Sequence, residues 1–135
     1  MRIALRSVRE PDMEFLYELH NDPTVRKYFH QKKKFTYKQH TNYWKHWLHS
    51  RNFGDEFSAK IILVDKVPAG CIRRVKGNIS VAVLPKFQSN GVGKKALKRF
   101  SIPGDSAEIY FENSSSLRLF NAAGFIPLWI KLKKK

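Results

Sequence analysis

The chain has 135 residues, 42% of them apolar and 13% aromatic, which suits one folded core and excludes a disordered segment. A formal charge of +15 points to anionic partners: nucleic acid, an anionic membrane surface or a phosphate-rich small molecule. The single cysteine, Cys71, excludes an internal disulfide framework and a multi-cysteine zinc site, and no apolar run reaches the length of a membrane span.

In chain order, residues 1–10 carry arginines and a glutamate where a signal peptide needs an apolar stretch, so a cytoplasmic protein is expected. Residues 3–8 alternate apolar and polar, the pattern of a half-buried strand. Pro11 suits a first helical position and Asp12 and Glu14 its first turn, while Met13, Leu16, Tyr17 and His20 recur at helical spacing. Asn21-Asp22-Pro23 ends that helix and starts a short helical piece to Lys27. Thr36-x-x-Gln39 is a capping box before a second helix, striped by Tyr37, His40, Trp44, Trp47 and Leu48. Residues 57–64 and 67–75 form a hairpin about Asp65-Lys66, and Lys76-Gly77-Asn78 turns into a third strand, 78–84. Pro85 opens a polar loop before a helix over 91–100. Pro103-Gly104-Asp105 breaks to a strand at 107–111, residues 114–123 are helical with Gly124 as the C-terminal cap, and 125–132 is a last strand. The order β-α-α-β-β-β-α-β-α-β, without repeats or a linker, makes residues 1–135 a single α+β domain, layered as in α/β folds, with a mixed sheet.

Cationic clusters at Lys32-Lys33-Lys34, Arg73-Arg74, Lys94-Lys95-Lys98-Arg99 and residues 131–135 are spread along the chain, and taken singly each reads as solvated surface. The third coincides with a motif. Gly91 and Gly93 let the backbone approach a ligand, and the first-turn N–H groups of the helix that follows point at an anion. Lys94 and Lys95 oppose the helix dipole there, a cost that a bound polyphosphate turns into attraction. Gly91-x-Gly93-x-x-Ala96 satisfies the dinucleotide fingerprint, but residues 85–90 separate it from its strand and too little chain follows for that fold. A Walker loop fails because Gln88 stands at its first glycine and Ala96 follows the lysines. An acyl-CoA site fits the spacing Gln88-x-x-Gly91-x-Gly93 after Val83-x-Pro85.

The run Val83-Leu84-Pro85-Lys86-Phe87-Gln88-Ser89-Asn90-Gly91-Val92-Gly93 resembles the acetyl-CoA motif of the GNAT superfamily of N-acetyltransferases. Residues 112–125, from Glu112-Asn113 to Gly124-Phe125, resemble its next motif. The front end, Leu5-Arg6 with Leu16-Tyr17-Glu18-Leu19-x-Asn21-Asp22-Pro23-x-Val25-Arg26-Lys27-Tyr28, is similar to one branch. That branch holds nucleotide-sugar N-acetyltransferases of bacterial surface-glycan pathways and relatives acetylating ribosomal-protein N-termini. The resemblance covers Leu5 to about Leu128 and implies a mostly antiparallel central sheet flanked by helices, with direct acetyl transfer from acetyl-CoA to a primary amine and no metal. It places the pyrophosphate on Gln88, Ser89, Asn90, Gly91, Val92, Gly93 and Lys94. The pantetheine arm and the oxyanion fall to the backbone of Val81 and Val83.

Two positions depart from the family. Asn78 stands where a carboxylate often heads the third strand, and Phe120 where a tyrosine acid is common, and neither can exchange a proton. Asn113, Ser80 and Ser116 remain to hold a water or contact CoA, with Asn113 and Ser80 as the catalytic candidates. Glu56, Glu112 and the five histidines are the available bases; His40 reads instead as a core residue, and His46 and His49 as solvent-facing. The acceptor side is expected from the first two helices and their connection, with Tyr28 and His30 as substrate contacts. Where family members end in two strands this chain has one, so the other could be supplied by a partner subunit, making a homodimer a candidate assembly, or be absent and leave a more open acceptor site. The acceptor readings are a nucleotide-linked amino sugar, anionic like the expected partner, and then a protein N-terminus. An acyl-CoA-binding relic and a basic nucleic-acid binder are the alternatives outside catalysis, the latter without any recognisable nucleic-acid motif.

Overall fold

The computed structural model describes residues 1–29, 33–49 and 57–135. Four strands, β1 (Ile3–Ser7), β2 (Phe57–Val64), β3 (Val67–Val75) and β4 (Asn78–Val83), form one antiparallel sheet in the order β1-β2-β3-β4. Both tight hairpins need left-handed backbone at two successive residues, which Asp65-Lys66 and Lys76-Gly77 adopt. Asp65 is also held by β1's approach: its carboxylate accepts the Arg2 N–H at 2.8 Å and its own N–H donates to the Arg2 carbonyl. The β2–β3 register shifts between Ile62 and Leu63, where Ala69 is the extra residue between Pro68 and Gly70.

The helices cover both faces of the sheet. On one face lie α1 (Met13–Asn21), the single turn α2 (Pro23–Arg26) and α3 (Tyr37–Leu48), burying Met13, Leu16, Leu19 and Trp44 against Ile61 and Cys71. On the other lie α4 (Val92–Phe100) and α5 (Ser114–Ala122), burying Val92, Ala96, Leu97 and Phe120 against Ile62, Ile72 and Ile79. The helix starts are built as their residues require. Asp22 accepts the Thr24 and Val25 N–H groups, and Thr36 and Gln39 close a reciprocal capping box. Pro11 falls in a 3-10 turn ahead of α1, and Gly124, at φ +97°, follows α5 in the left-handed conformation that ends helices.

Two expected strands are not formed. Residues 107–111 keep a strand's side-chain alternation, with Ala107 and Ile109 packed on the core and Glu108 and Tyr110 outward. Their backbone, however, joins the sheet only through one parallel bridge, Asn78 to Ser106. Residues 125–132 are apolar enough for a strand, yet after Phe125, which packs edge-on to Phe120, no ladder forms. Periodicity reports which side chains have a face to cover; a strand also needs a neighbour with an open edge. The expected mixed sheet is therefore purely antiparallel, and the bridge at Ser106 is the parallel pairing among the described residues. The third hairpin strand ends at Val83 rather than Leu84, and the loop after it holds a 3-10 turn, Pro85–Phe87. On α3 the expected stripe holds for His40 and Trp44, while Tyr37 is exposed.

Candidate functional site

The parting of residues 106–113 from β4 creates the site. Arg74 pins its start: the guanidinium grips Asp105 through two bonds of 2.7 Å and donates to the Phe100 carbonyl, while Asp105 also receives the Ile102 N–H. This pairing holds the Asp105 carboxyl below its ordinary range, and the Ile102 N–H lowers it further against the opposing effect of burial. The Ser106 N–H reaches the Gly77 carbonyl and the Ile79 N–H reaches the Ser106 carbonyl, at 2.9 and 2.8 Å. Beyond that point the two segments separate. Backbone groups alternate sides along a strand, so if Ile79 points its N–H at the outer edge of β4, Val81 and Val83 do too. Those two residues therefore present backbone to the opening.

The opening runs into the start of α4. The Gln88 side chain donates to the Val83 carbonyl at 2.8 Å, tying the loop to the strand end. Ser89 and Gly91 are both left-handed, at φ +74° and +75°, and Gly91 is the N-cap of α4 with no side chain bonded to the first-turn N–H groups. The amides of Val92, Gly93 and Lys94 are left for an anion, with the helix dipole behind them. A hollow of about 250 Å³ faces them, lined by Val81, Val83, Gln88, Ser89, Gly91 and Lys94 together with Val92, Gly93 and the first turn of α5. Its floor is close-packed: a Cβ on Gly93 would lie 3.4 Å from Leu119. Eight of the expected cofactor positions thus meet in one place; Asn90 is exposed and does not line the hollow.

The same walls continue into a cleft of about 970 Å³ that reaches α1, α2 and α3. Ser80, Tyr28 and Asn113 line it. Asn113 is engaged as the N-cap of α5, its side-chain oxygen accepting the Ser116 N–H at 3.2 Å and the Ser115 hydroxyl at 3.3 Å. Tyr28 donates its hydroxyl to the Glu112 carbonyl at 3.3 Å, a strap from the α2 side to the α5 side. The Glu112 side chain is exposed, as are those of His46 and His49, the last bonded to Glu10 at 2.9 Å. His30, Lys32 and Glu56 lie outside the described residues. The departures have structural employment: Asn78 accepts the Ser106 hydroxyl at 2.7 Å, helping to pin the fork, and Phe120 is buried beside Phe125.

One feature of the cleft wall was not anticipated, a buried pair formed by His20 of α1 and His40 of α3. The Trp44 indole N–H, which can only donate, bonds His40 Nε2 at 3.3 Å, so that nitrogen carries a lone pair and the His40 proton sits on Nδ1. His20 Nδ1 lies 3.0 Å from the same atom and must donate to it, which leaves His20 Nε2 as an acceptor. His40 Nδ1 is buried without a partner. Burial first, and then the nearby Arg73 guanidinium, push His40 down to about 4; His20 is held well below its ordinary value by burial, Arg73, His40 and Arg26. Both rings are neutral at ordinary pH. Arg73 reaches this place from β3, its guanidinium over the Tyr43 ring and bonded to the Tyr43 hydroxyl at 3.2 Å. Cys71, also on the wall, is pushed up to about 12 by burial and is no nucleophile. The sequence did hold a signal for the pair, since His20 sits one turn after Leu16 and His40 one turn before Trp44, each on a buried face.

No family model and no curated protein sequence matches the chain. Solved structures do match. A spermidine N-acetyltransferase from Vibrio cholerae in complex with CoA and spermine superimposes with a TM-score of 0.77 at 15% identity, over 92% of this chain and 80% of that one. An acetyltransferase from Thermus thermophilus gives 0.72 at 17% identity, over 93% and 88%. An aminoglycoside acetyltransferase in complex with coenzyme A gives 0.72 at 17%, over 93% and 84%. The chain has the fold of the GNAT acetyltransferases.

Proposed function

We propose that the protein is an N-acetyltransferase that uses acetyl-CoA to acetylate a primary amine directly. The observation that carries this reading is one continuous hollow, from the uncapped start of α4 along the unpaired edge of β4 to the compartment beneath α1 and α3. An elongated thioester with a polyanionic head fits that sequence of chemistries. The amides of Val92, Gly93 and Lys94 would receive the pyrophosphate, Ser115 and Ser116 would flank it, and the edge backbone of Val81 and Val83 would pair with the pantetheine amides. In the reaction a C–N bond forms as the amine attacks the thioester carbonyl, the C–S bond breaks, the amine loses a proton and the thiolate gains one. An edge N–H of β4 would meet the developing oxyanion. Ser80 and Asn113, the latter through its amide NH₂, would hold the water that carries the proton.

For the acceptor we propose an amine on an anionic carrier, a nucleotide-linked amino sugar. Among the described residues, Lys27 and Arg73 face the cleft against one lining carboxylate, Glu108, in a chain of charge +15. Polyamines and aminoglycosides, which figure among the structural neighbours, are polycations and would be repelled by such a wall. Tyr28 lies where the acceptor would enter and would contact it. A protein N-terminus is the second reading, favoured by the cleft's volume and by the similarity of the front end to that branch. Calorimetric titration of acetyl-CoA tests the site, and thiol release with amino-sugar nucleotides against peptides tests the acceptor. Binding without thiol release from any amine would favour an acyl-CoA-binding relic, and no binding would remove the reading altogether.

A further inference from the structure

The cleft wall carries a hydrogen-bond acceptor that lacks a donor. Trp44 can only donate, so the bonds joining Trp44, His40 and His20 allow one proton arrangement, a hydrogen on each Nδ1 and a lone pair on each Nε2. His40 Nε2 receives both donors. His20 Nε2 receives none among the described residues, and it is not one of their fully enclosed unpaired atoms, which are His40 Nδ1 and Thr41 Oγ1. The His20 ring lines the cleft, so its lone pair is reached from there. The arrangement is held from several sides. The Trp44 ring lies parallel to His20 at 6.2 Å, and Phe29 sits at 6.4 Å. Arg26 donates to the His20 carbonyl at 3.1 Å, and Asn21, the next residue, exchanges two bonds of 3.1 Å with the Phe35 backbone ahead of α3. A wall needed only to exclude water would be better built from leucine, since His40 Nδ1 is buried with no bond to offset its desolvation.

We infer that His20 is a catalytic residue of the acceptor side, its Nε2 lone pair accepting a hydrogen bond from the substrate amine, with Trp44 and His40 as positioning residues that fix its tautomer. The inference rests on the acetyl-transfer reading above. Ser80 shares the compartment: Ile79 packs on the far face of the sheet and Ala82 on the α1 face, so strand alternation turns Ser80 toward α1. An entering ammonium would give one N–H to His20 Nε2 and one to Ser80 Oγ, whose own hydrogen stays available for water. The third proton leaves to that water, and the nitrogen lone pair it uncovers attacks the thioester carbonyl. The C–N bond forms, the C–S bond breaks and the thiolate takes up a proton. His20 does not keep the proton itself, because burial foremost, then Arg73, His40 and Arg26, hold its ring well below the ordinary value. The tautomer matters: a hydrogen on His20 Nε2 would point at the amine and repel its N–H groups. A hydroxyl acceptor, with one hydrogen, could not fill both acceptors, so the pair selects amines over alcohols.

Thiol release from acetyl-CoA, with uridine-diphosphate amino sugars and short peptides as acceptors, tests this. His20→Phe should bind acetyl-CoA within about twofold of wild type and lose about 100-fold in kcat with the best wild-type acceptor. His20→Gln, whose side-chain carbonyl can accept, should recover about 10-fold of that loss. Nitrogen NMR spectra of the wild type should show His20 and His40 protonated at Nδ1 alone, and the His20 Nε2 signal should shift when the acceptor joins the CoA complex. Trp44→Phe should allow an Nε2–H form of His20 and lower kcat without changing acetyl-CoA affinity. A wild type that binds acetyl-CoA yet acetylates no amine would remove the acetyl-transfer reading and this inference with it. Normal wild-type turnover with an unaffected His20→Phe overturns the inference alone, as does an equal loss of acetyl-CoA affinity, which marks a structural role. If His20→Phe does not fold, the wild-type spectrum decides: a hydrogen on His20 Nε2, or a signal indifferent to the acceptor, overturns the inference.

Discussion

Gly91 offers the most direct test of the anion cradle, because two substitutions there separate backbone strain from charge. Its φ of +75° is left-handed, and a Cβ built on it meets nothing within 4 Å. Alanine therefore adds no clash, and its cost is the strain of a left-handed L-residue, about 1–2 kcal/mol. For a chain of this size that lowers Tm by about 3–8 °C. Glutamate at the same position carries the same strain and puts a carboxylate beside the uncapped start of α4. With that charge about 6 Å from two charges of a diphosphate, at an effective dielectric of about 40, the repulsion is about 3 kcal/mol, or roughly 100-fold in Kd. Calorimetry with acetyl-CoA should show Gly91→Ala binding within a few-fold of wild type and Gly91→Glu about 100-fold weaker. Both variants should melt below wild type, glutamate by the smaller margin because its carboxylate meets the positive end of the helix dipole. Raising salt should narrow the gap between them. Equal affinities for the two variants would refute the cradle at this loop, and so would a loss in alanine as large as in glutamate.

Asp105→Ala leaves Arg74, largely buried at the fork, without its counter-charge and should cost about 3 kcal/mol in urea unfolding. The folded carboxyl titrates below its ordinary 3.8, so its contribution is complete above that value and lost as pH falls through the lower folded one; wild type and variant should converge only in strong acid. His40→Leu strands the Trp44 and His20 donors and should cost about 2–3 kcal/mol at pH 7. Since the folded histidines titrate below 6.5, with His40 at about 4, the unfolded chain takes up protons first: wild-type stability is complete above pH 6.5 and declines toward pH 4, and the variant's slope, followed by urea titration at each pH, should be shallower by one proton. Asn113→Ala should lose about 1 kcal/mol of cap energy in urea unfolding that Asn113→Ser restores, while the rate of thiol release falls in both because the short serine side chain, held at the cap, does not reach where the amide NH₂ stands.

Much of the site was legible because it is local. Gly91 and Gly93 after a short loop, the uncapped helix start and the lysines behind it are all consequences of residues within ten positions of each other, and a hollow lies against them. The hairpins were legible for the same reason, since Asp65-Lys66 and Lys76-Gly77 specify turns by themselves. What sequence did not reveal depends on distant partners. Residues 107–111 and 125–132 have the composition of strands, but whether a ladder closes depends on which edge arrives beside them. Asn113 was visible as a polar group at a motif's start; that its oxygen is spent on the Ser116 N–H is a matter of helix geometry. The histidine pair joins positions 20 residues apart through a tautomer set by a third residue, Trp44. No spacing rule contains that arrangement.

The histidine pair bears on how an amine could react in a cleft that lacks the carboxylate expected at position 78. Burial and Arg73 keep His20 and His40 uncharged, and the Arg73 charge acts as well on any cation placed against that wall. A substrate ammonium entering the cleft proposed above would meet the same penalty, lowering its pKa toward the neutral form that attacks. The proton then departs to water rather than to a side chain, and the groups required are neutral acceptors that orient the amine. Ser80 and the His20 Nε2 lone pair are of that kind. On this view Asn78 is not a lost base. Its side chain is bonded to Ser106, and under the proposed function the electrostatics of the wall would favour deprotonation instead. A polycationic acceptor would gain nothing from such a wall, since its remaining charges would be excluded with the first; an amine carried on an anion would enter readily and lose its proton there.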